Sequence, residues 1–196
     1  MRYFLPAALL PAALLFMLFG DPASAQSRDQ RWALCESGDP VRSADACTAL
    51  IDSGAETPSN LAIAYSNRGI SYSNKGEFTR AVADYERALA INPNLAPAMN
   101  SLAWDLATMP AADRRDGPRA VDLAERALVL NQQETGFLDT LGAAYAEAGR
   151  FADAVRTQQR ALELLRQANG IPNDVIADFE SRLRLYQNKQ PFHRPQ

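Results

Sequence analysis

The sequence predicts an all-α protein built from stacked helical hairpins, and three observations lead to this fold class. Small residues recur at a spacing of 34 positions, as from Gly69 to Ala103 and from Ala120 to Ala154. Apolar residues between them follow the i, i+4 spacing of one helical face, and Gly or Pro separates the helical stretches. A fixed period of this length is typical of one helical unit stacked on copies of itself. Such an array presents an extended surface more often than a reaction centre.

The first 25 residues have the pattern of a secretory signal peptide. Arg2 supplies a positive start, residues 3–20 are almost wholly apolar, and a small-residue cleavage site ends at Ala25. The alternative is an uncleaved membrane anchor, because the apolar run can span a bilayer, although Pro6 and Pro11 interrupt it. We therefore expect a periplasmic or secreted protein, with no transmembrane segment after cleavage at residue 25.

Charge and composition exclude one class of partner. Twenty Lys and Arg residues face 23 Asp and Glu residues, for a net charge of −3, and no basic tract appears. A nucleic-acid binder carries a basic patch, so no nucleic-acid partner is expected. The chain after the signal has the size of one domain.

The two cysteines belong to a predicted N-terminal helical hairpin within residues 26–60. Its helices are expected over 29–37 and 42–53, with a turn between them, and Cys35 and Cys47 lie on either side of that turn. An exported chain with an even cysteine count favours a disulfide, whereas two buried free thiols are the alternative. Closing so short a loop stabilises by about 3 kcal/mol. Two cysteines alone are too few for a structural zinc site.

Three helical units follow within residues 61–170. Their bounds are expected near 62–95, 96–134 and 135–168. In the first, Gly76 separates the helices and a proline-containing turn ends the second helix. The second unit carries five extra residues between its helices, in the stretch 110–118, where Asp116 is the expected N-cap.

The last segment, residues 171–196, is predicted to be a capping helix followed by a flexible tail. The helix, about Asn173–Gln187, has one apolar and one charged face, as the end of a helical array requires. From Lys189 two prolines favour a frayed tail.

The three units resemble tetratricopeptide repeats. The residues that carry the likeness in the first unit are Tyr65, Gly69, Tyr72, Ala81, Tyr85, Ala88 and Pro93. The third unit lacks the second-helix aromatic, having Gln158 there, and the second departs most, with Ala103 for the glycine. The resemblance implies a right-handed superhelix that binds a protein or peptide in its concave groove, as a monomer or weak oligomer.

Carried over from that resemblance, the first helix of each unit would line the groove. The expected groove residues are Ser66, Asn67, Ile70, Asn74, Asn100, Trp104, Thr108, Asp139, Ala143 and Glu147. Asn amides can pair with a peptide backbone, and Trp104 would be an aromatic anchor. The alternative is that Trp104 packs on a neighbouring helix and the Asn side chains are merely solvated.

The charge of these positions favours one kind of ligand. None is Lys or Arg, and Asp139 and Glu147 would repel a free C-terminal carboxylate. A neutral or mildly basic segment fits better. The insertion Arg114-Arg115-Asp116 is a second candidate contact, with a solvated turn and a helix cap as the alternative.

No catalytic, metal or cofactor site is expected. The only histidine, His193, lies in the tail, and no phosphate loop or metal-ligand cluster occurs. A non-catalytic scaffold or adaptor is therefore predicted. Two alternatives stay open: a Sel-like repeat protein that binds or hydrolyses cell-wall ligands, and a periplasmic holdase chaperone.

Overall fold

The computed structural model describes residues 27–132 and 134–195, and the predicted signal peptide with its cleavage site after Ala25 lies outside these ranges. Within them the chain forms nine α-helices and one short 3₁₀ turn, without strands, which confirms the all-α prediction. The helices are α1 (Arg28–Cys35), α2 (Pro40–Asp52), α3 (Pro58–Asn74), α4 (Phe78–Ile91), α5 (Ala96–Thr108), α6 (Gly117–Leu130), α7 (Thr135–Glu147), α8 (Phe151–Gln167) and α9 (Asn173–Gln187).

Each helix packs on its neighbour in the chain, so that α3–α4, α5–α6 and α7–α8 are three successive hairpins. Helix α5 also contacts α3 and α7, which places the first helices of the three hairpins in one row. None of the described helices has the length and hydropathy needed to cross a bilayer.

Equivalent small residues occupy equivalent places in the hairpins. A Cβ at Gly69 would come within 2.6 Å of the Tyr85 ring, and one at Gly142 within 2.8 Å of the Gln158 side chain. Both glycines therefore let the second helix of the hairpin approach closely. Ala81 and Ala154, which face the same two glycines, are fully buried. This matched environment is the structural basis of the repeat seen in the sequence.

The turns inside the hairpins are of two kinds. Gly76 and Gly149 each end a first helix in the left-handed region, with φ of 75°, which glycine adopts without strain. The second hairpin instead has the longer connection expected from its extra residues, with a 3₁₀ turn at Ala112–Arg114. Asp116 then caps α6 by accepting a hydrogen bond from the Arg119 backbone N–H at 3.0 Å.

The N-terminal hairpin contains the expected disulfide between Cys35 and Cys47, and both residues are buried. Asp39 caps α2, since its carboxylate accepts from two backbone N–H groups of the first turn. Pro40 follows it as the first helical residue, where a missing N–H costs nothing. Helix α2 packs on α3, so the disulfide-linked pair covers one end of the hairpin array.

The segment after α9 differs from the frayed tail that its composition suggested. Lys189 has a φ of 55°, and the backbone N–H of Gln190 returns to the Leu185 carbonyl at 2.9 Å. This left-handed helix end turns the chain away from the axis of α9. Residues 189–195, here named the tail segment, then lie against α5 and α7. The two prolines correctly indicated that no helix continues here. They could not predict which residues the side chains between them would contact.

Candidate functional site

The inner helices α3, α5 and α7 form a concave surface with a cavity of about 210 Å³. Helices α3 and α5 contribute most of its wall, and α7 adds the far side. Five of the ten expected groove residues line this cavity: Ile70, Asn74, Asn100, Trp104 and Asp139. Stacking of the hairpins thus brings together Ile70 and Asp139, which lie 69 positions apart in the sequence.

The other five expected residues are placed differently. Asn67 lines a smaller neighbouring cavity of about 130 Å³. Ser66, Thr108 and Ala143 lie in the packing between helices, with exposed fractions of 2 % or less, so their side chains are not presented to a ligand. Their short side chains are what allows the helices to approach there. Glu147 is half-buried and accepts from the Arg115 guanidinium at 2.9 Å.

The tail segment lies on this concave surface. The backbone N–H of Arg194 donates to the Thr108 carbonyl at 2.9 Å, so Thr108 takes part through its main chain. The Phe192 ring lies 5.8 Å from the Trp104 ring, centroid to centroid. Nε2 of His193 lies 2.7 Å from Oε2 of Glu147. The surface therefore holds an extended stretch of the chain's own polypeptide.

Asp105 is the charged group at the centre of the site, and it was missed by the sequence reasoning. Its carboxylate is 1 % exposed, and one oxygen, Oδ1, accepts from Ser73 Oγ and from Arg194 Nη2, both at 2.7 Å. Burial raises the pKa of Asp105, and the Arg194 charge acts against that rise. One signal was available: the equivalent positions in the other two units are Ser71 and Ala144, both small. A carboxylate at an interior repeat position needs a partner.

A second buried carboxylate, that of Asp139, ties the third hairpin to the cap helix. Its Oδ1 accepts from Gln158 Nε2 at 2.7 Å and from Arg182 Nε at 2.8 Å. Gln158 is the residue that replaces the repeat's usual aromatic, and here it supplies an amide donor instead. Asp139 thus borders the cavity while it is neutralised by α9. Its charge is therefore not available in full to a ligand.

Trp104 lines the same cavity as Asp105 and Asp139. It is half-buried, and the Arg182 guanidinium lies 5.7 Å from its ring centroid while the ring of Phe192 covers it from the tail segment. Trp104 thus contacts a ring and a guanidinium, the two kinds of group that an aromatic anchor binds.

Arg115 in the insertion is largely buried, not solvated. It holds the loop to the repeat body, since one guanidinium nitrogen donates to the carbonyls of Met109 and Pro110 while another donates to Glu147. Among the described residues no group of three or more His, Cys, Asp and Glu side chains is placed to hold a metal ion.

The architecture and its concave surface define a helical-hairpin repeat protein. Family models described as tetratricopeptide repeat match residues 62–95 and 136–175. The chain therefore contains tetratricopeptide repeats over these residues. The first match coincides with the first predicted unit, and the second extends from the third unit into the start of α9.

Solved structures of MamA share the fold. The structure titled MamA AMB-1 in crystal form P212121 is 20% identical, with a TM-score of 0.55, and the match covers 83% of this chain and 83% of that one. MamA AMB-1 in crystal form C2221 gives 20% identity, a TM-score of 0.57 and coverages of 83% and 89%. A double mutant of MamA RS-1 gives 15% identity, a TM-score of 0.56 and coverages of 82% and 92%. No curated protein matches the sequence. At these identities the likeness shows the fold alone.

Proposed function

We propose that the protein is an exported, non-catalytic adaptor that binds a segment of another protein on the concave surface of α3, α5 and α7. One observation carries this proposal: the surface already accepts an extended peptide, the tail segment, through a main-chain hydrogen bond, a ring contact and an ion pair. Tetratricopeptide repeats are helical arrays whose extended concave surfaces serve binding, which supports the same function.

Export is supported by two features. The apolar stretch at residues 3–20 precedes a small-residue cleavage site, and Cys35 and Cys47 form a disulfide. Structural disulfides persist in oxidising compartments such as the bacterial periplasm. The proposed setting is therefore the periplasm or the extracellular space.

The chemistry of the surface favours a neutral or basic segment. Two carboxylates, Asp105 and Glu147, border the surface, and both pair with cationic or protonatable groups of the tail segment. The nearby Arg182 and Arg115 are already paired, with Asp139 and with Glu147. A free C-terminal carboxylate would meet these acidic groups without an available arginine, and such an arrangement opposes binding.

Affinity capture from native envelope extracts tests the proposal, with the wild-type protein, Trp104→Ala and Trp32→Ala as baits. Trp32 is the matched control, because it is the chain's other tryptophan and lies in α1, where its indole N–H donates to Glu56. A hot-spot aromatic contributes about 2 kcal/mol or more to binding, so Trp104→Ala should reduce capture of the partner at least about tenfold.

Trp32→Ala should capture the same partner as the wild type. Circular dichroism of each bait checks that the helices are intact. Equal capture of the partner by the wild type and by a folded Trp104→Ala protein would refute binding at this surface.

A further inference from the structure

On the basis of the proposed function, we infer that the concave surface, or groove, of α3, α5 and α7 selects partner segments in which an aromatic residue is followed two positions later by arginine. The residues Phe192–Arg194 are the chain's own copy of this ligand, and a partner segment must displace them to bind. The following contacts carry the inference.

The arginine is required by Asp105. This carboxylate is buried, and Arg194 is the cation paired with it among the described residues. The second carboxylate oxygen, Oδ2, has no hydrogen-bond partner within the described structure, although Asp105 lines the cavity. A buried charge without a counterion costs several kcal/mol. When the tail segment leaves, an incoming segment that supplies a cation restores this pairing, whereas an uncharged segment leaves Asp105 unpaired or protonated.

Several contacts specify arginine in place of lysine. Two guanidinium nitrogens of Arg194 bind different groups, Nη2 to Asp105 and Nη1 to Ser73 Oγ at 3.0 Å. The guanidinium carbon also lies 4.5 Å from the centroid of the Phe78 ring. A planar fork makes such a set of contacts, whereas the compact ammonium group of lysine does not.

The aromatic residue is specified by Trp104 and Arg182. The Phe192 ring lies 5.8 Å from Trp104, and the Arg182 guanidinium lies 5.6 Å from the Phe192 ring. The Phe192 and Arg194 side chains both reach the surface, and His193 between them reaches Glu147 at its edge. The main-chain bond from Arg194 to Thr108 then sets the register of the segment.

The tail segment is suited to be displaced. It follows the left-handed turn at Lys189 and lies outside the hairpins, with Phe192 packed against the edge of their core. It also leaves the cavity of about 210 Å³ beside Arg194 unfilled, next to Ile70 and Asn100. A longer partner segment gains contacts there that the tail segment does not make. As a tethered competitor, the tail segment acts at an effective concentration on the order of millimolar, so it weakens partner binding without abolishing it.

The test uses a fluorescein-labelled peptide that copies residues 189–196 and the full chain as wild type and as the double variant Phe192→Ala/Arg194→Ala. The double variant vacates the groove, so the peptide should bind it at least about tenfold more tightly than it binds the wild type, measured by fluorescence anisotropy. Gln190→Ala, an exposed change in the same segment, is the control and should bind the peptide as the wild type does.

Peptide variants test the motif without altering the protein. Replacing the arginine of the peptide by lysine or alanine, or its phenylalanine by alanine, should weaken binding to the double variant at least about tenfold. A peptide of scrambled sequence should not bind. Equal binding of the arginine, lysine and alanine peptides, or no binding of the parent peptide, would overturn the inference.

A second measurement covers the case in which the double variant does not fold. In the ¹⁵N-labelled wild type, excess parent peptide should move the resonances of residues 189–195 to random-coil positions, and the alanine peptide should not. Resonances that stay in place at saturating peptide contradict displacement. A concentration-dependent dimer in sedimentation that disappears in the double variant would show exchange of tail segments between copies, and would overturn the intramolecular arrangement.

The two proposals fail in different ways. If the peptide does not bind but capture of an envelope partner still depends on Trp104, the aromatic–arginine motif is refuted and groove binding stands. If the peptide binds but capture is indifferent to Trp104, the groove accepts the motif, and the proposed adaptor function is refuted.

Discussion

Replacing Arg182 by alanine should destabilise the protein by about 3–5 kcal/mol, because the change leaves a buried charge without its partner. Asp139 and Arg182 are 6 % and 8 % exposed, and their ion pair is 2.8 Å long. In the variant, the Asp139 carboxylate would keep one hydrogen bond, from Gln158. The loss is a large part of a typical total stability of 5–15 kcal/mol.

The pH dependence of this loss has a definite sign. Burial raises the pKa of Asp139 in the folded protein, and Arg182 acts against that rise, so its removal raises the pKa further. For a carboxyl group whose pKa is raised by folding, protonation favours the folded state. The stability gained from that protonation is fully present below the unfolded-state pKa and is lost as the pH rises through the folded-state pKa. The deficit of Arg182→Ala should therefore be smaller at pH 5 than at pH 8.

Urea unfolding followed by circular dichroism at both pH values measures these effects. Arg166→Ala is the matched control, because Arg166 likewise joins the third hairpin to α9, from α8 to Glu180, but the two side chains are 59% and 38% exposed. An exposed pair contributes about 0–1 kcal/mol, and this variant should lose no more.

The double variant Asp139→Asn/Arg182→Met removes both charges and should recover most of the stability. A loss below about 1 kcal/mol in Arg182→Ala would refute the reasoning that this pair is desolvated. So would a deficit that grows as the pH falls.

Two further predictions concern the close packing of the first hairpin and the disulfide of the N-terminal hairpin. In thermal unfolding, Gly69→Ala should destabilise the protein by about 1–3 kcal/mol, because the new Cβ would meet the buried Tyr85 ring at 2.6 Å. Gly136→Ala is the control and should be neutral or slightly stabilising, because its Cβ meets only a side-chain oxygen at 3.5 Å. Equal melting temperatures for the two variants would contradict the close approach. Replacing Cys35 and Cys47 together by serine should cost about 2–4 kcal/mol in urea unfolding, with the wild type in reducing agent behaving alike. Insensitivity of the wild type to the reductant would count against a stabilising disulfide.

Most of the helical architecture could be predicted because its causes are local. Gly76 and Asp116 mark helix boundaries through their own backbone preferences and caps, which act within four residues. The extra residues of the second hairpin were placed correctly in the connection after α5, since the repeat period is regained at Ala120. The Cys35–Cys47 disulfide joins two short helices separated by one recognisable turn.

The candidate site was predicted only in outline. Helical periodicity indicated the inner faces of α3, α5 and α7, and five expected residues do line one cavity. It did not distinguish residues that face the groove from residues wedged between helices, such as Thr108 and Ala143. Both kinds lie on the same side of a helix, and only the approach of the neighbouring helix separates them.

The sequence alone therefore determined the fold class, the hairpin repeat, the extra length of the second turn and the disulfide-linked leading pair. Each rests on periodicity or on conformational preferences that act over a few residues. The tertiary structure decided which charges meet. Arg194 pairs with Asp105 across 89 positions, and Arg182 pairs with Asp139 across 43. These pairs follow from burial, because a carboxylate that is removed from water needs a nearby cation. Which cation lies nearby depends on how the helices pack.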